Sequence, residues 1–382
     1  MSKQDHIAGL DVLRIVAAYL VFFNHLGQFN THYDIAAHGT VAGAPLAFPF
    51  MAPFSGVGSV GVEIFFVISG FVITASAQNM SAMEFAWRRF LRVAPALWIC
   101  STLTLLARAA TGESLPYLLG CWLRSVTLAP MGPSIDGVVW TLVVEAFFYA
   151  LVFITLISGR LQLDTLAKII GFSSVGFVTV LTIAQINIDH PTMAWLCGIL
   201  NRFPFKVFLL RDGVFFAGGM VFWQWVNKKE IGLRGPLLML LFLVFGALEI
   251  FISSEKSVSG ALVTLAIWAA GLAWLACSVL YRARINDVLS SNGKLIANLG
   301  RLSYTLYLSH YALGMVLVSV FFTFQNSTII SFTMTIVVIT TIAWTIMAGA
   351  ERRLQSLMRT GAENLSPLAG RFRKKRPAGD IV

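Results

Sequence analysis

"LDVLRIVAAYLVFFNHLG", Leu10 to Gly27, is apolar along most of its length and yet contains Asp11, Arg14 and His25. A helix of this length rises about 27 Å, close to the ~30 Å hydrocarbon core of a bilayer. A charge near the bilayer centre costs at least about 2.5 kcal/mol on insertion scales, so such residues pair with one another or face a polar cavity. The stretch thus reads as a membrane helix, and its three ionisable residues mark where function is to be sought.

The rest of the chain extends that reading. Of 382 residues, 57% are hydrophobic and 12% charged, against roughly 25% charged in soluble domains, and the mean hydropathy is +0.77. Apolar runs at 10–26, 58–77, 94–110, 138–157, 169–186, 210–226, 236–252, 261–280, 303–322 and 328–350 are each long enough to cross a membrane. They predict an all-α polytopic membrane protein, a single bundle of about ten transmembrane helices. The runs are continuous rather than alternating, which disfavours a β-barrel. No basic segment precedes the first run and no A-x-A-like site follows it, so it is expected to be the first helix rather than a removable targeting segment. Residues 1–350 are expected to form the membrane-embedded domain and 351–382 a basic tail.

The net charge of +10 is distributed by side. In the ten-helix scheme 21 of the 28 Lys and Arg fall on one face, six on the other, and Arg14 lies within the membrane. The positive-inside rule then places both termini in the cytoplasm. The tail ending in "RFRKKRP" reads as a topology anchor on an anionic leaflet rather than as a nucleic-acid site. Cys100, Cys121, Cys197 and Cys277 show no metal-binding spacing, and no metal is expected. The outer connections Gln28 to Val57 and Pro116 to Gly137 read either as a mouth above the bundle or as irregular linkers.

Arg14 and His25 are eleven residues apart, which on a helix returns to within about 20° of the same face, ~16 Å along the axis. Asp11, one turn from Arg14, offers it an ion pair; the alternative is contact with a ligand. Glu63 and Glu145 each follow the outer start of a helix, at a depth similar to His25. A carboxylate beside a histidine fixes its tautomer and raises its proton affinity, which suits acid–base chemistry. Helix-to-helix hydrogen bonding is the alternative. Arg88, Arg89 and Arg92 in "WRRFLRVAPALW" serve either as positive-inside residues or as forks for phosphate oxygens. His310, about two turns into the run at 303–322, is expected in the inner half with Tyr304 and Tyr307.

In order along the chain, "LDVLRIVAAYLVFFNH", "GVEIFFVISGFVIT", "RRFLRVAPALW", "VVWTLVVEAFFY" and "LSYTLYLSH" resemble the motifs of the acyltransferase-3 family of integral membrane acyltransferases. Thr141 replaces the family's usual serine, and Tyr311-Ala312 follows His310 where a proline often stands nearby. The resemblance implies O-acylation, with acetyl-CoA as the expected donor and a glycan or glycolipid of the cell envelope as acceptor, in the cytoplasmic (inner) membrane. By position it implies His25 as the catalytic residue and Glu145 as an active-site acid, and Glu63, at similar depth, is expected as a second acid. It further implies Arg14, Arg88, Arg89 and Arg92 at the CoA donor, and Trp140, Tyr149 and His310 at the substrate. General-base and acyl-histidine routes both remain open at this stage. The rival function is a transporter or flippase of lipid-linked saccharides, whose mark would be inverted repeats or paired broken helices; the sequence shows no internal repeat.

Overall fold

The computed structural model describes residues 6–28, 48, 50, 56–78, 80–159, 162–227, 233–253, 258–325 and 327–365, and among them it contains helices and no strand. Most of the segment 28–57 and all of 366–382, with the "RFRKKRP" run, lie outside the described residues. The order opens with α1 (Ala8–Gln28), α2 (Gly61–Ala77) and α3 (Ala82–Ala110). A shorter α4 (Leu115–Val126) leads to α5 (Val139–Ser158) and α6 (Leu163–Ile186). The small α7 (Pro191–Leu200) and α8 (Phe203–Val207) precede α9 (Gly213–Asn227), α10 (Arg234–Ser253) and α11 (Val258–Leu280). The short α12 (Arg282–Val288) then feeds α13 (Gly293–Ser309), α14 (Ala312–Gln325), α15 (Thr328–Thr345), a π-helical turn at Ile346–Ala350 and α16 (Glu351–Leu365).

The protein is a polytopic membrane bundle. Among the described residues eight helices are long and apolar enough to cross a bilayer, and α13 with α14 adds a ninth as a bent pair. Local sequence explains several boundaries. Ser81 caps α3 by accepting the Glu84 N–H at 3.2 Å, which satisfies one of the orphan donors of a helix start. Gly159 closes α5 at φ +60, the left-handed conformation that terminates many helices.

Two of the ten expected runs fold differently from a simple span. The run at 210–226 becomes α9, whose 15 residues rise only about 22 Å. Every residue from Gly213 to Phe222 is buried, so α9 is shielded by its neighbours and need not match the bilayer thickness. The run at 303–322 is broken: α13 and α14 meet at residues 310–311 with a bend of 75°. A break at membrane depth is tolerated where the freed backbone groups are buried in protein and find partners.

Helix α9 is held closest to α2. A Cβ placed on Gly70 would overlap the Phe216 carbonyl, and one on Gly219 would overlap the Val67 carbonyl. Between bilayer helices, where apolar burial contributes little, such small residues allow the backbones to meet. Phe216 then stacks on Phe66 and packs at a tilt against Phe148, each ring centroid 4.6 Å away. A second apolar core joins α1 to α13, α14 and α15 through Phe22, Leu26, Leu306 and Ile339. In the last turn of α3, Arg108 grips Glu113 through two bonds of 2.8 and 2.6 Å and donates to the Ile135 carbonyl at 2.7 Å. The connection between α3 and α5, left open as mouth or linker by its sequence, is a folded cap that contains α4.

Gly219→Val is expected to destabilise the bundle by about 1–3 kcal/mol, the usual cost of overpacking. Gly176→Ala, in the interior of α6 where a Cβ meets nothing within 4 Å, is expected to be neutral to slightly stabilising. Thermal unfolding of the two purified variants in detergent checks this; equal midpoints would refute the close α2–α9 approach.

Candidate active site

α1 carries polar groups at both ends. At the first end Arg14 Nη1 donates to Asp11 Oδ1 at 3.0 Å, and Asp11 Oδ2 meets His6 Nε2 at 2.6 Å. That hydrogen bond raises the His6 pKa above its ordinary value, against the opposing effect of desolvation. The ion pair expected for Arg14 is therefore formed, but a guanidinium has five N–H donors and the Asp11 bond uses one. Arg89 and Arg92 of α3 lie within electrostatic reach of Arg14.

Three arginines thus approach one another from two helices, and the remaining groups of this cluster come from α2, α5 and α13. Arg92 places its guanidinium carbon 4.9 Å from the centroid of the Tyr304 ring, and the Tyr304 hydroxyl donates to the Val93 carbonyl at 3.0 Å. Arg89 donates to Ser76 Oγ at 3.3 Å, while its Nε is buried without a partner. Arg88, next to it in sequence, pairs with Glu84 at 2.7 Å and also acts electrostatically on Arg89. Glu145 accepts from Ser69 Oγ at 2.5 Å and from the Tyr149 hydroxyl at 2.6 Å, and both Glu145 and Tyr149 act electrostatically on Arg89.

Glu145 is therefore a member of the arginine cluster and not the carboxylate beside His25 that its depth suggested. Depth along a helix leaves azimuth open, and α5 turns this residue toward Ser69 of α2. Glu63 is not beside His25 either. Its Oε2 is buried without a partner, and its electrostatic neighbours are Glu249, Asp212 and Lys206. Close to that group Arg211 pairs with Glu249 at 2.8 Å and donates to Asn201 at 2.8 Å. Trp140 sits under Lys206 Nζ, 4.5 Å from its ring centroid.

At the other end of α1 the partner of His25 is a second histidine. His25 Nδ1 lies 2.8 Å from His310 Nε2, with the rings 5.0 Å apart and 15° from parallel. His310 Nδ1 in turn lies 2.7 Å from the Tyr307 carbonyl. Tyr311 flanks His25 at 4.5 Å between ring centroids, and Phe22 flanks His310 at 5.3 Å. His310 is fully buried whereas His25 is half-buried.

The expectation that His310 occupies the inner half of the bundle is corrected by this pairing. α13 begins at Gly293, ten residues before the apolar run expected from sequence, so His310 lies about 25 Å along the helix. Lys294, Asn298 and Arg301 dilute the first turns and hide the true helix start from a hydropathy reading.

The break beside His310 is secured by Asp136, a residue that sequence reasoning missed. Its two carboxylate oxygens accept from Val138 N–H and Ala312 N–H, each at 3.1 Å, so one side chain caps the start of α14 and steadies the start of α5. Burial pushes the Asp136 carboxyl up to about 6 even though both amide bonds act to lower it. Asp136 stands two residues before Val138, the cap of α5, and an Asp that bonds the backbone two residues on is a common turn signal, which "PSIDGVVW" carries; nothing local points to Ala312. Ser69 was missed as well, and nothing in its sequence context distinguishes it. The arginine cluster is suited to phosphate oxygens, and a histidine pair is suited to moving a proton.

A family model described as an acyltransferase domain, acyltransferase-3, matches residues 7–348. Among curated proteins, the chain is similar to nodulation protein 10 of Rhizobium leguminosarum bv. viciae, 33% identical over 170 residues that cover 38% of this chain and 43% of that protein. It is also similar to an O-acetyl transferase of Shigella phage Sf6, 36% identical over 95 residues, which cover 25% of this chain and 24% of the relative. The matched segments thus span less than half of either relative. No solved structure matches.

The Asp136 carboxyl gives a pH signature. Because its pKa is raised in the folded state, its contribution to stability is full below about 3.8 and is lost as pH rises through about 6. Wild-type thermal midpoints should therefore fall across that window by more than those of Asp136→Asn, which has no charge to bury. Parallel midpoint–pH curves for the two proteins would show that Asp136 does not titrate there.

Proposed function

The chain belongs to the acyltransferase-3 family, and from that premise we propose that it O-acetylates a hydroxyl of a cell-envelope or secreted glycan, with acetyl-CoA as donor. The single observation that carries this reading is the pair of polar sites on one helix. Arg14, joined by Arg89 and Arg92, stands at one end of α1, and His25 stands eleven residues further, ~16 Å along the axis. The first site suits the phosphates of the nucleotide end of CoA, and the spacing suits a pantetheine arm extended toward His25. Thr141 and Tyr307, hydrogen-bonded at 2.9 Å, and Tyr304 supply polar groups between the two ends. The name of the phage relative, an O-acetyl transferase, agrees with transfer to oxygen.

In this reading the positive-inside count puts Arg14 on the cytoplasmic side, where acetyl-CoA is found, and His25 toward the outer face of the cytoplasmic membrane. His25 takes the proton of the acceptor hydroxyl as its oxygen attacks the thioester carbonyl. The C–S bond then breaks, the acetyl group stays on the acceptor oxygen, and the leaving thiolate receives the proton to give CoA. Glu145, hydrogen-bonded to Ser69 and Tyr149, holds countercharge near Arg89 and so keeps the cluster from excess positive charge without the donor.

His25→Ala is expected to lose transfer by about 10²-fold or more while purified protein still binds acetyl-CoA. Arg89→Gln with Arg92→Gln is expected to weaken acetyl-CoA binding and to leave folding intact, since a lost fork removes charge-assisted bonds. Calorimetric titration with acetyl-CoA, paired with mass spectrometry of acetylated glycan from cells, reads both. Near-normal transfer by His25→Ala would remove its catalytic role, and unchanged affinity in the double variant would remove the donor site. Release of CoA in a burst before acceptor is added would mark the acyl-histidine route instead.

A further inference from the structure

We propose that His310 is a positioning residue that fixes the tautomer of His25, and so leaves the His25 Nε2 lone pair to take the acceptor proton. The inference rests on the reading of His25 as the base and replaces a substrate contact for His310. It follows from the acceptor at the far end of the chain of hydrogen bonds. A carbonyl oxygen only accepts, so the 2.7 Å contact with the Tyr307 carbonyl requires the hydrogen of His310 on Nδ1. A neutral imidazole carries one N–H, so His310 Nε2 is then an acceptor. The 2.8 Å contact makes His25 Nδ1 the donor, and His25 Nε2 is left with its lone pair.

The broken helix makes this possible. Tyr307 belongs to the last turn of α13, whose final carbonyls lack intrahelical amide partners. In an unbroken helix that oxygen would accept a backbone N–H from the next turn, and an imidazole would have to share it. On the far side of the break the Ala312 amide is held by Asp136 at 3.1 Å. The two ends of the break are thereby fixed, and His310 is held between them, fully buried. A side chain without exposed surface orients its neighbour better than it touches a substrate, and the half-buried His25 is the member of the pair within reach of one.

The choice of a neutral partner has a chemical consequence. A carboxylate behind a histidine stabilises its protonated form. His310 fixes orientation and tautomer through Nε2 without adding negative charge, so the proton taken by His25 is readily given up to the departing thiolate.

The test uses His310→Leu, which removes the acceptor, and His310→Gln, whose amide oxygen accepts from His25 and whose NH₂ donates to the Tyr307 carbonyl. His310→Leu should lower kcat by about 10²-fold with the KM for acetyl-CoA nearly unchanged, and His310→Gln should recover about tenfold of that loss. In ¹⁵N NMR of histidine-labelled full-length protein, the His25 signals, assigned by their disappearance in His25→Ala, should show an unprotonated Nε2 in the wild type. They should show a mixture of tautomers in His310→Leu. A wild-type Nε2–H tautomer would overturn the proposal even if no His310 variant folds. So would a raised KM with unchanged kcat, or a Gln variant no better than Leu at matched thermal midpoints. Near-normal activity of His25→Ala would instead sink the underlying assignment of the base, and is read separately.

Discussion

An ionisable side chain inside an apolar bundle is costly unless another group satisfies it, and four such arrangements organise the interior of this protein. Asp11 answers Arg14, Glu249 answers Arg211, Ser69 and Tyr149 answer Glu145, and His310 answers His25. Removing one member of such a pair leaves an uncompensated buried group and costs more than the pair itself contributes. Three of the four arrangements join segments distant in sequence: one sets α1 against α13, one α2 against α5, and one ties the residues before α9 to α10.

Among these, the histidine pair has the strictest demands on the backbone. It needs α13 to stop where it does, so that the Tyr307 carbonyl is free, and it needs α14 to start without an orphaned amide beside it. Asp136 meets the second demand from the connection before α5. That connection is itself held by the Arg108 grip on Glu113 and on the Ile135 carbonyl. A chain of contacts therefore runs from a polar cap outside the bundle to the ring of His25. At the opposite end of α1 the clustering of Arg14, Arg89 and Arg92 leaves a concentration of positive charge for which Glu145 is a partial counterweight.

Hydropathy made the class of fold legible, because ~20-residue apolar runs have few alternatives to a membrane helix. It did not foresee the bend at residues 310–311, since "YLSHYALG" carries no proline and Ser309 and His310 interrupt the apolar run only briefly. It did not foresee that α9 is short and enclosed, because enclosure is a property of neighbours. The motifs made Arg14, His25, the arginines of α3 and Glu145 stand out as polar residues in apolar settings, and the family match over residues 7–348 agrees with the resemblance they carried.

What the sequence determined by itself is the class of fold, eight of its ten expected spans and the shared face of Arg14 and His25, all consequences of helical period and apolar length. What only the tertiary structure decided is partnership. Similar depth suggested Glu63 or Glu145 for His25, but depth is one coordinate of three, and azimuth is set by packing. The Gly70 and Gly219 contacts that draw α2 against α9, and the placement of α5 against α2, turn Glu145 toward Ser69. The packing of α13 along α1 brings a histidine 285 positions away to the one that composition had already marked as costly.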